Sequence, residues 1–398
     1  MAEPTQATLS EHNRSRILSH LYHHGVESRA SIAKALELTP AAITKITAKL
    51  LEAGVIDETG DIGGSRNRRS IGLTLDKSRF HVVGVKFARS LVEIGVFDLA
   101  GKQLADREIT AIDPEDIPSA IADVHRIVES LLAADDGIVA IGMAVPGPYL
   151  RNIGRTAVVS SMEEWRKVNF LDEFSDAFSV PVFVEHDARA GALAQHLFDP
   201  DCDTGSLAYY LIGEGVGLGV LENGRTINGS QGAATEIGHI SIDANGERCE
   251  CGNYGCLESM CSAVTIHRML VEDGRIVPDA ASMTHRDACN ALFAAAASGN
   301  ADARGLVEKI GTIVGYGAVT IFNAFNPERI VLGDIVAGAG QPLLDAVQRV
   351  VDERVIPELA EHTTISLSRL PADAAVTGAA AVAITQFLAN PSMFFEIA

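Results

Sequence analysis

The sequence predicts an α/β protein made of a winged helix-turn-helix head, residues 1–75, and a two-lobed body, residues 76–398. Three observations carry that prediction. Capped helices of apolar spacing fill the N-terminal stretch and give way to a basic, glycine-bearing hairpin. Beyond it, a series of strand-like runs followed by helices occurs twice. The charge is also divided: the chain is net −20, yet residues 1–75 hold nine Lys/Arg against eight Asp/Glu and the remainder 23 against 44. An acidic body repels DNA phosphates, so any nucleic-acid contact belongs to the head. Acidic cytosolic enzymes share such a balance, so charge permits a DNA reader without requiring one.

In the head, Asn13 to His23 carries Ile17, Leu18 and Leu21 at helical spacing, and Gly25 ends that helix. Ser28 caps a short second helix with Ile32, Ala33 and Leu36 on one face. Thr39-Pro40 opens a third, Thr39 as N-cap and Pro40 at the first helical position. Its inner face is Ile43, Ile46, Leu50 and Leu51; its outer face offers Ala41, Ala42, Thr44, Lys45, Thr47 and Lys49. Small, polar and basic side chains suit a helix that enters a major groove. Gly54 closes the helix, and Val55-Ile56 begins a strand that pairs with Ile71-Gly72-Leu73. The loop between holds Arg66, Arg68 and Arg69, suited to phosphate or minor-groove contact.

In the body, the first set of strands is Phe80–Lys86, Leu91–Phe97, Lys102–Ile109, Val139–Val145 and Val180–Glu185, with helices at Pro114–Ala133 and Asp187–Leu197. The second set is Ser206–Ile212, Gly217–Glu222, Ile240–Ile242, Arg329–Leu332 and Thr364–Ser368. Its helices lie between Ala263 and Phe325, at Gln341–Arg354 and at Ala374–Leu388. Two such sets suggest two lobes with a cleft between them. The most apolar stretches, around Ile310–Phe325 and Ala374–Ala389, are interrupted by polar residues or too short to span a bilayer. With no charged start and apolar core of a signal peptide, the expectation is a cytoplasmic protein without a membrane partner.

The chemistry concentrates between Glu236 and Glu258. One imidazole, His239, and three thiols, Cys249, Cys251 and Cys256, fall close together, with Gly252 and Gly255 letting the chain double back. Four nitrogen and sulfur donors with no open position suit a structural, tetrahedral Zn²⁺. A disulfide fits less well, since Cys249 and Cys251 are too close to pair comfortably and three thiols leave one over. Glu236 and Glu258 flank this knuckle. Fixed carboxylates grip hydroxyls, and a zinc-bound His239 would turn its second nitrogen to the same pocket. Spacing alone leaves open that these glutamates are solvated surface charges.

Glu236-x-Gly238-His239 followed by Cys249-x-Cys251-Gly252-x-x-Gly255-Cys256-x-Glu258 resembles the signature of the ROK family of repressors, open reading frames and sugar kinases. The resemblance covers essentially the whole chain. It implies an actin-like, ribonuclease H-like double lobe: lobe one about 76–188 plus the C-terminal helix, lobe two about 189–380. It also implies zinc on His239 and the three cysteines, and sugar contacts from Glu236, His239 and Glu258. Asp187 matches the family's proton-accepting aspartate, although by position alone it reads first as a polar cap on its helix. His186 replaces the family's Asn, which would alter the preferred sugar. Ser160-Ser161 stands where relatives carry a sugar-touching Pro-Asn step, making Ser161 a candidate contact. The head resembles the DNA-binding module of ROK repressors, which the sugar kinases lack.

Phosphoryl transfer in this fold needs glycine turns that cradle phosphates and a carboxylate for Mg²⁺. Family kinases read Asp-x-Gly-Gly-Thr where this chain has Lys86-Phe87-Ala88-Arg89-Ser90, Gly-Thr-Gly where it has Gly213-Glu214-Gly215, and Gly-Gly where it has Gly333-Asp334. Each departure disfavours ATP. Lys86 and Arg89 would alternatively bind the phosphate of a sugar phosphate. The expectation is a non-enzymatic repressor responding to a monosaccharide or sugar-phosphate effector. It would bind a roughly palindromic double-stranded operator as a homodimer or a tetramer, with Thr39, Ala42, Thr44, Lys45 and Lys49 toward DNA. The alternatives are a sugar kinase with an added head, and a regulator answering to a protein partner.

Overall fold

The computed structural model describes residues 6–63, 70–88, 91–105, 108–113, 116–157, 164–202, 204–370 and 374–395. In the head, helices Gln6–His24, Arg29–Ala35 and Pro40–Glu52 precede the hairpin strands Asp57–Asp61 and Ile71–Thr74. Ser28 caps the second helix at the Ser31 amide, and Thr39 caps the third at the Ala42 amide. Ile43, Ile46 and Leu50 are buried against Ile17, Leu18, Leu21 and Ile32. The hairpin strand begins two residues later than expected, because Val55 and Ile56 drop into this core instead of pairing. A two-residue strand, Glu27–Ser28, adds a third member on the other side of Ile71–Thr74. The whole has the order of a winged helix-turn-helix.

The body contains two five-stranded sheets of the same order. In the first, His81–Phe87 is central, Leu91–Asp98 and Glu108–Ala111 run antiparallel on one side, and Ile138–Val145 and Val182–His186 run parallel on the other. In the second, Ser206–Ile212 is central, Val216–Glu222 and Arg225–Thr226 form the antiparallel side, and Arg329–Gly333 and Thr364–Leu367 the parallel side. The third strand of this second sheet differs from the Ile240–Ile242 expected. Asn223 and Gly224, both at positive φ, make the tight turn that returns Arg225–Thr226 onto Val216–Glu222. Ile240–Ile242 belongs to the knuckle, where Ser241 makes a single bridge to Cys256.

Between the sheets lies helix Asp187–Phe198, whose Ala188, Ala190, Ala192 and Ala194 are fully buried. Ala188 and Ala192 lie against Gly217 and Gly219 of the second sheet, while Ala190 lies against Gly378 of the last helix, Ala374–Ala389, which covers the first sheet. The same last helix carries Ala380, Ile384 and Phe387 into contact with the head's core. Helix Ala301–Phe325 is long and apolar, and it packs into the second lobe with Ile310, Val314, Ala318 and Ile321 buried.

Candidate functional site

The strand Val182–His186 ends where helix Asp187–Phe198 begins, so His186 and Asp187 point from a strand end into the space between the sheets. This space is a cavity of about 210 Å³, and His186, Asp187, Glu236, His239 and Glu258 all line it. Five of the six residues expected to touch a sugar therefore converge. Ser161, with Ser160, lies outside the described residues.

Asp187 does not cap the helix. His186 is the N-cap residue and makes no side-chain cap bond. The Asp187 Oδ1 accepts the Ala188 amide at 2.7 Å, and Oδ2 accepts a hydrogen bond from Lys86 Nζ at 3.2 Å. Burial disfavours the Asp187 anion, but the Lys86 ammonium and the other partners outweigh it and hold the carboxyl below its ordinary range. Lys86, itself buried, is raised by Asp187 and Asp334 against its own desolvation. His186 Nε2 sits 3.1 Å from Asp187 Oδ1. Burial pushes His186 down to about 4, so the imidazole is neutral at physiological pH, and its Nδ1 has no hydrogen-bond partner. The ring lies so close to Gly147 that a Cβ there would run into it.

From the opposite wall, Glu236 follows Thr235, a β-branched residue at φ 69 whose hydroxyl donates to the Leu218 carbonyl. Such backbone strain, of order 1–3 kcal/mol, recurs where a neighbouring side chain must be aimed. Burial raises the Glu236 carboxyl to about 8, with Asp187 and Glu258 adding to the rise and Arg189 opposing it; its Oε1 has no partner. A neutral carboxylic acid both donates and accepts, which suits a hydroxyl. Glu258 begins a short helix, and its Oε2 accepts the Val216 amide at 2.8 Å.

Behind the cleft, the wholly buried Arg189 donates through Nε at 2.8 Å to Oε1 of Glu185, in the strand that leads into its helix, and reaches the Ala234 carbonyl with Nη1 at 3.4 Å. The bond to Ala234 joins the two walls, and the sequence reading did not find it. The signal was a lone arginine in the small-residue run Asp187-Ala188-Arg189-Ala190-Gly191-Ala192. Arg286, also missed, enters the cleft 3.5 Å from Asp334. Asp334 occupies a positive φ of 68 and lies against Gly213, where a Cβ would meet its carboxylate.

Below the carboxylates, one donor atom each from His239, Cys249, Cys251 and Cys256 lies within 4.8 Å of the others, and this group could hold a metal ion. Cys251 Sγ and Cys256 Sγ are 3.7 Å apart, and Cys249 Sγ is 3.9 Å from His239 Nδ1. Four sulfur and nitrogen ligands bonded to zinc at 2.0–2.3 Å stand about 3.3–3.8 Å apart at the corners of a tetrahedron. The donor set therefore fits, with all four positions filled by protein and no place for a reactive water. Because Nδ1 faces the thiols, Nε2 is the nitrogen left for the cleft.

On the head, Thr39, Thr44 and Lys45 are exposed on one face of the third helix, with Ala42 and Lys49 half-buried beside them. Thr44 already donates its hydroxyl to the Pro40 carbonyl. Thr47 belongs to the core instead: it is fully buried, donates to the Ile43 carbonyl and accepts from Arg29 Nε. Arg66, Arg68 and Arg69, like Arg89, lie outside the described residues.

Two sheets of identical strand order, facing each other across a ligand-sized cleft, define the actin-like class of two-lobed proteins. Within that class the chain belongs to the ROK family, whose profile matches residues 82–386. It is 28% identical over 397 residues to a putative xylose repressor of Caldicellulosiruptor sp. (strain Rt8B.4), a match that covers 97% of this chain and 98% of the relative. Among solved structures it is similar to a ROK family transcriptional regulator described as a homolog of the E. coli MLC protein. That match has a TM-score of 0.81 and 28% identity, over 97% of this chain and 98% of the other. The ROK hexokinase from Thermus thermophilus matches at TM-score 0.61 and 28% identity, over 76% of this chain and 98% of its own.

Proposed function

We propose that the protein is a sugar-responsive DNA-binding transcriptional regulator, a repressor of carbohydrate-utilisation genes. The observation that carries the proposal is the convergence of Asp187, Glu236, His239 and Glu258 on one cleft, beneath a head that is fused to the same core. Hydroxyl groups of a monosaccharide would bond to these four residues and to His186, where Glu236 Oε1 and His186 Nδ1 lack partners. Ser161 would add a contact. His239, Cys249, Cys251 and Cys256 would hold a structural Zn²⁺, which fixes Glu236 and Glu258 and supplies no reaction chemistry.

The exposed face of the third helix would read an operator through Thr39, Ala42, Thr44 and Lys45, with Lys49 on phosphate and Arg66, Arg68 and Arg69 in the wing. A homodimer, alone or paired into a tetramer, would place two heads on a roughly palindromic site. Domain limits near residues 75 and 188 follow from this division. The six free cysteines accord with a reducing cytoplasm. Likeness to the hexokinase favours one competing reading, an active sugar kinase, because Asp187 stands in the cleft. Against it stand Lys86, Glu214 and Asp334, which line the cleft at the positions where family kinases are expected to carry the Asp and glycine turns for phosphate.

Calorimetric titration with common monosaccharides, paired with operator binding, tests the reading. A sugar that binds with micromolar to millimolar affinity and changes operator affinity is the expected result. Sugar-dependent ATP consumption in a coupled assay would transfer the chain to the kinases.

A further inference from the structure

The glycine turn that should receive a phosphate is already filled by the protein's own carboxylates. In the turn Gly213-Glu214-Gly215, the Gly213 Cα faces the Asp334 carboxylate so closely that a Cβ would collide with it. A Cβ on Gly215 would lie 2.9 Å from Glu258 Oε2, and the next amide, Val216, donates to that same oxygen at 2.8 Å. Bare glycine backbone normally accepts anionic oxygens from a ligand, since nothing else approaches it so closely. Here the anions are internal. Among the described residues, the cations lining the cleft are engaged as well: Lys86 bonds to Asp187 at 3.2 Å, and Arg286 lies 3.5 Å from Asp334.

Formal charge points the same way. Among the described residues, Glu93, Asp187, Glu214, Glu258 and Asp334 line the cleft against Lys86 and Arg286, with Glu236 kept neutral by burial. Asp334 also holds a left-handed backbone, φ 68, which glycine adopts freely and aspartate does not. A strained side chain seated on a glycine turn is retained only when its surroundings determine it.

We infer that Asp334, seated on the Gly213–Gly215 turn, acts as a built-in stand-in for phosphate, so that the effector is an uncharged or cationic monosaccharide and its phosphate esters are excluded. This rests on the reading of the cleft as a sugar site and narrows it. A phosphoryl group entering next to Asp334 would set like charges a few ångströms apart in a partly dry cavity. It would also have to displace the Asp334 side chain from its seat, where burial raises the carboxyl while Lys86 and Arg286 draw the other way.

The experiment is calorimetric titration of the full-length protein with each effective monosaccharide, with its 6-phosphate and 1-phosphate, and with inorganic phosphate. The expected result is that the free sugar binds at least tenfold more tightly than either ester, with no detectable phosphate binding. Asp334→Gly, which relieves the backbone strain, and Asp334→Asn, which keeps the side chain's shape, each narrow the gap between ester and free sugar at least tenfold. The ratio is the readout, so a general loss of stability does not mimic it. A wild-type protein that binds an ester as well as the free sugar overturns the inference alone and leaves the sugar site standing. An unchanged ratio in both variants also overturns it, by removing Asp334 as the cause. If none of the sugars or esters binds, the reading of the cleft as a sugar site falls and takes this inference with it.

Discussion

Lys86→Met would test whether the cleft depends on its internal ion pair. Lys86 Nζ and Asp187 Oδ2 are 3.2 Å apart, with side chains 8% and 16% exposed, so solvent screens the pair little. At an effective dielectric constant near 20, two unit charges at that separation attract by about 5 kcal/mol. Desolvation of both groups offsets much of this, and removing one partner of such a pair typically costs about 3–5 kcal/mol. We expect a loss of about 3 kcal/mol near pH 7, read as a fall in the urea midpoint on the order of 1 M. The deficit should depend on pH. Asp187 is held below its ordinary range in the folded protein, so the pair's contribution is complete above that range and is lost as pH falls through the folded value. The difference between wild type and variant should therefore shrink in acid. Lys86→Met/Asp187→Asn, which removes both charges of the pair, should recover most of the stability. A single variant within about 0.5 kcal/mol of wild type, the range of ordinary surface changes, would refute the argument, as would a double variant no more stable than the single.

Glu258→Gln should remove the sugar response while leaving operator affinity and metal content unchanged, as checked by calorimetry, band shift and elemental analysis. Cys251→Ser should reduce the bound metal and lower the thermal midpoint by several degrees, because a closed four-donor site contributes directly to folding; metal analysis of the purified variant decides it. His186, depressed to about 4 by burial, stays neutral in the folded protein while the unfolded chain takes up a proton near pH 6.5. Stability should therefore rise with pH between about 4 and 6.5, by up to about 3 kcal/mol, and His186→Gln should flatten that part of the urea-midpoint profile.

What the sequence disclosed depended on how local the determining forces were. Ser206–Ile212 and Gln341–Arg354 were legible to the residue, since a continuous apolar run and a clean helical stripe each set their own ends. Arg225–Thr226 was passed over although Asn223-Gly224 advertises a hairpin, because two residues give no alternation to read. Thr47 looked like an outward-facing threonine until Arg29, from another helix, covered it. In the cleft, the knuckle's spacing led straight to Glu236 and Glu258. The seat of Asp334 on Gly213 and the entry of Arg286 arise only when distant segments meet, and no local pattern announces them.

The physical link between cleft and head is a chain of three helices. Asp187 opens the first, Asp187–Phe198, whose Ala190 lies directly against Gly378 of the last helix, Ala374–Ala389. That helix buries Ala380, Ile384 and Phe387 against the head's Ile17, Leu18 and Leu21. Tyr22 fastens the first helix of the head to the body through a buried bond to the Leu99 carbonyl at 2.8 Å, and Arg14 does so through Ser392 at 2.8 Å. Alanine and glycine contacts of this kind have no flexible side chains to absorb a displacement, so a shift of the Asp187 helix must be passed on or resisted. An effector in the cleft therefore acts on the head only as far as its affinity differs between two arrangements of these helices. One contact that such a shift must accommodate is Arg189, which bonds both Glu185 on its own wall and the Ala234 carbonyl on the other.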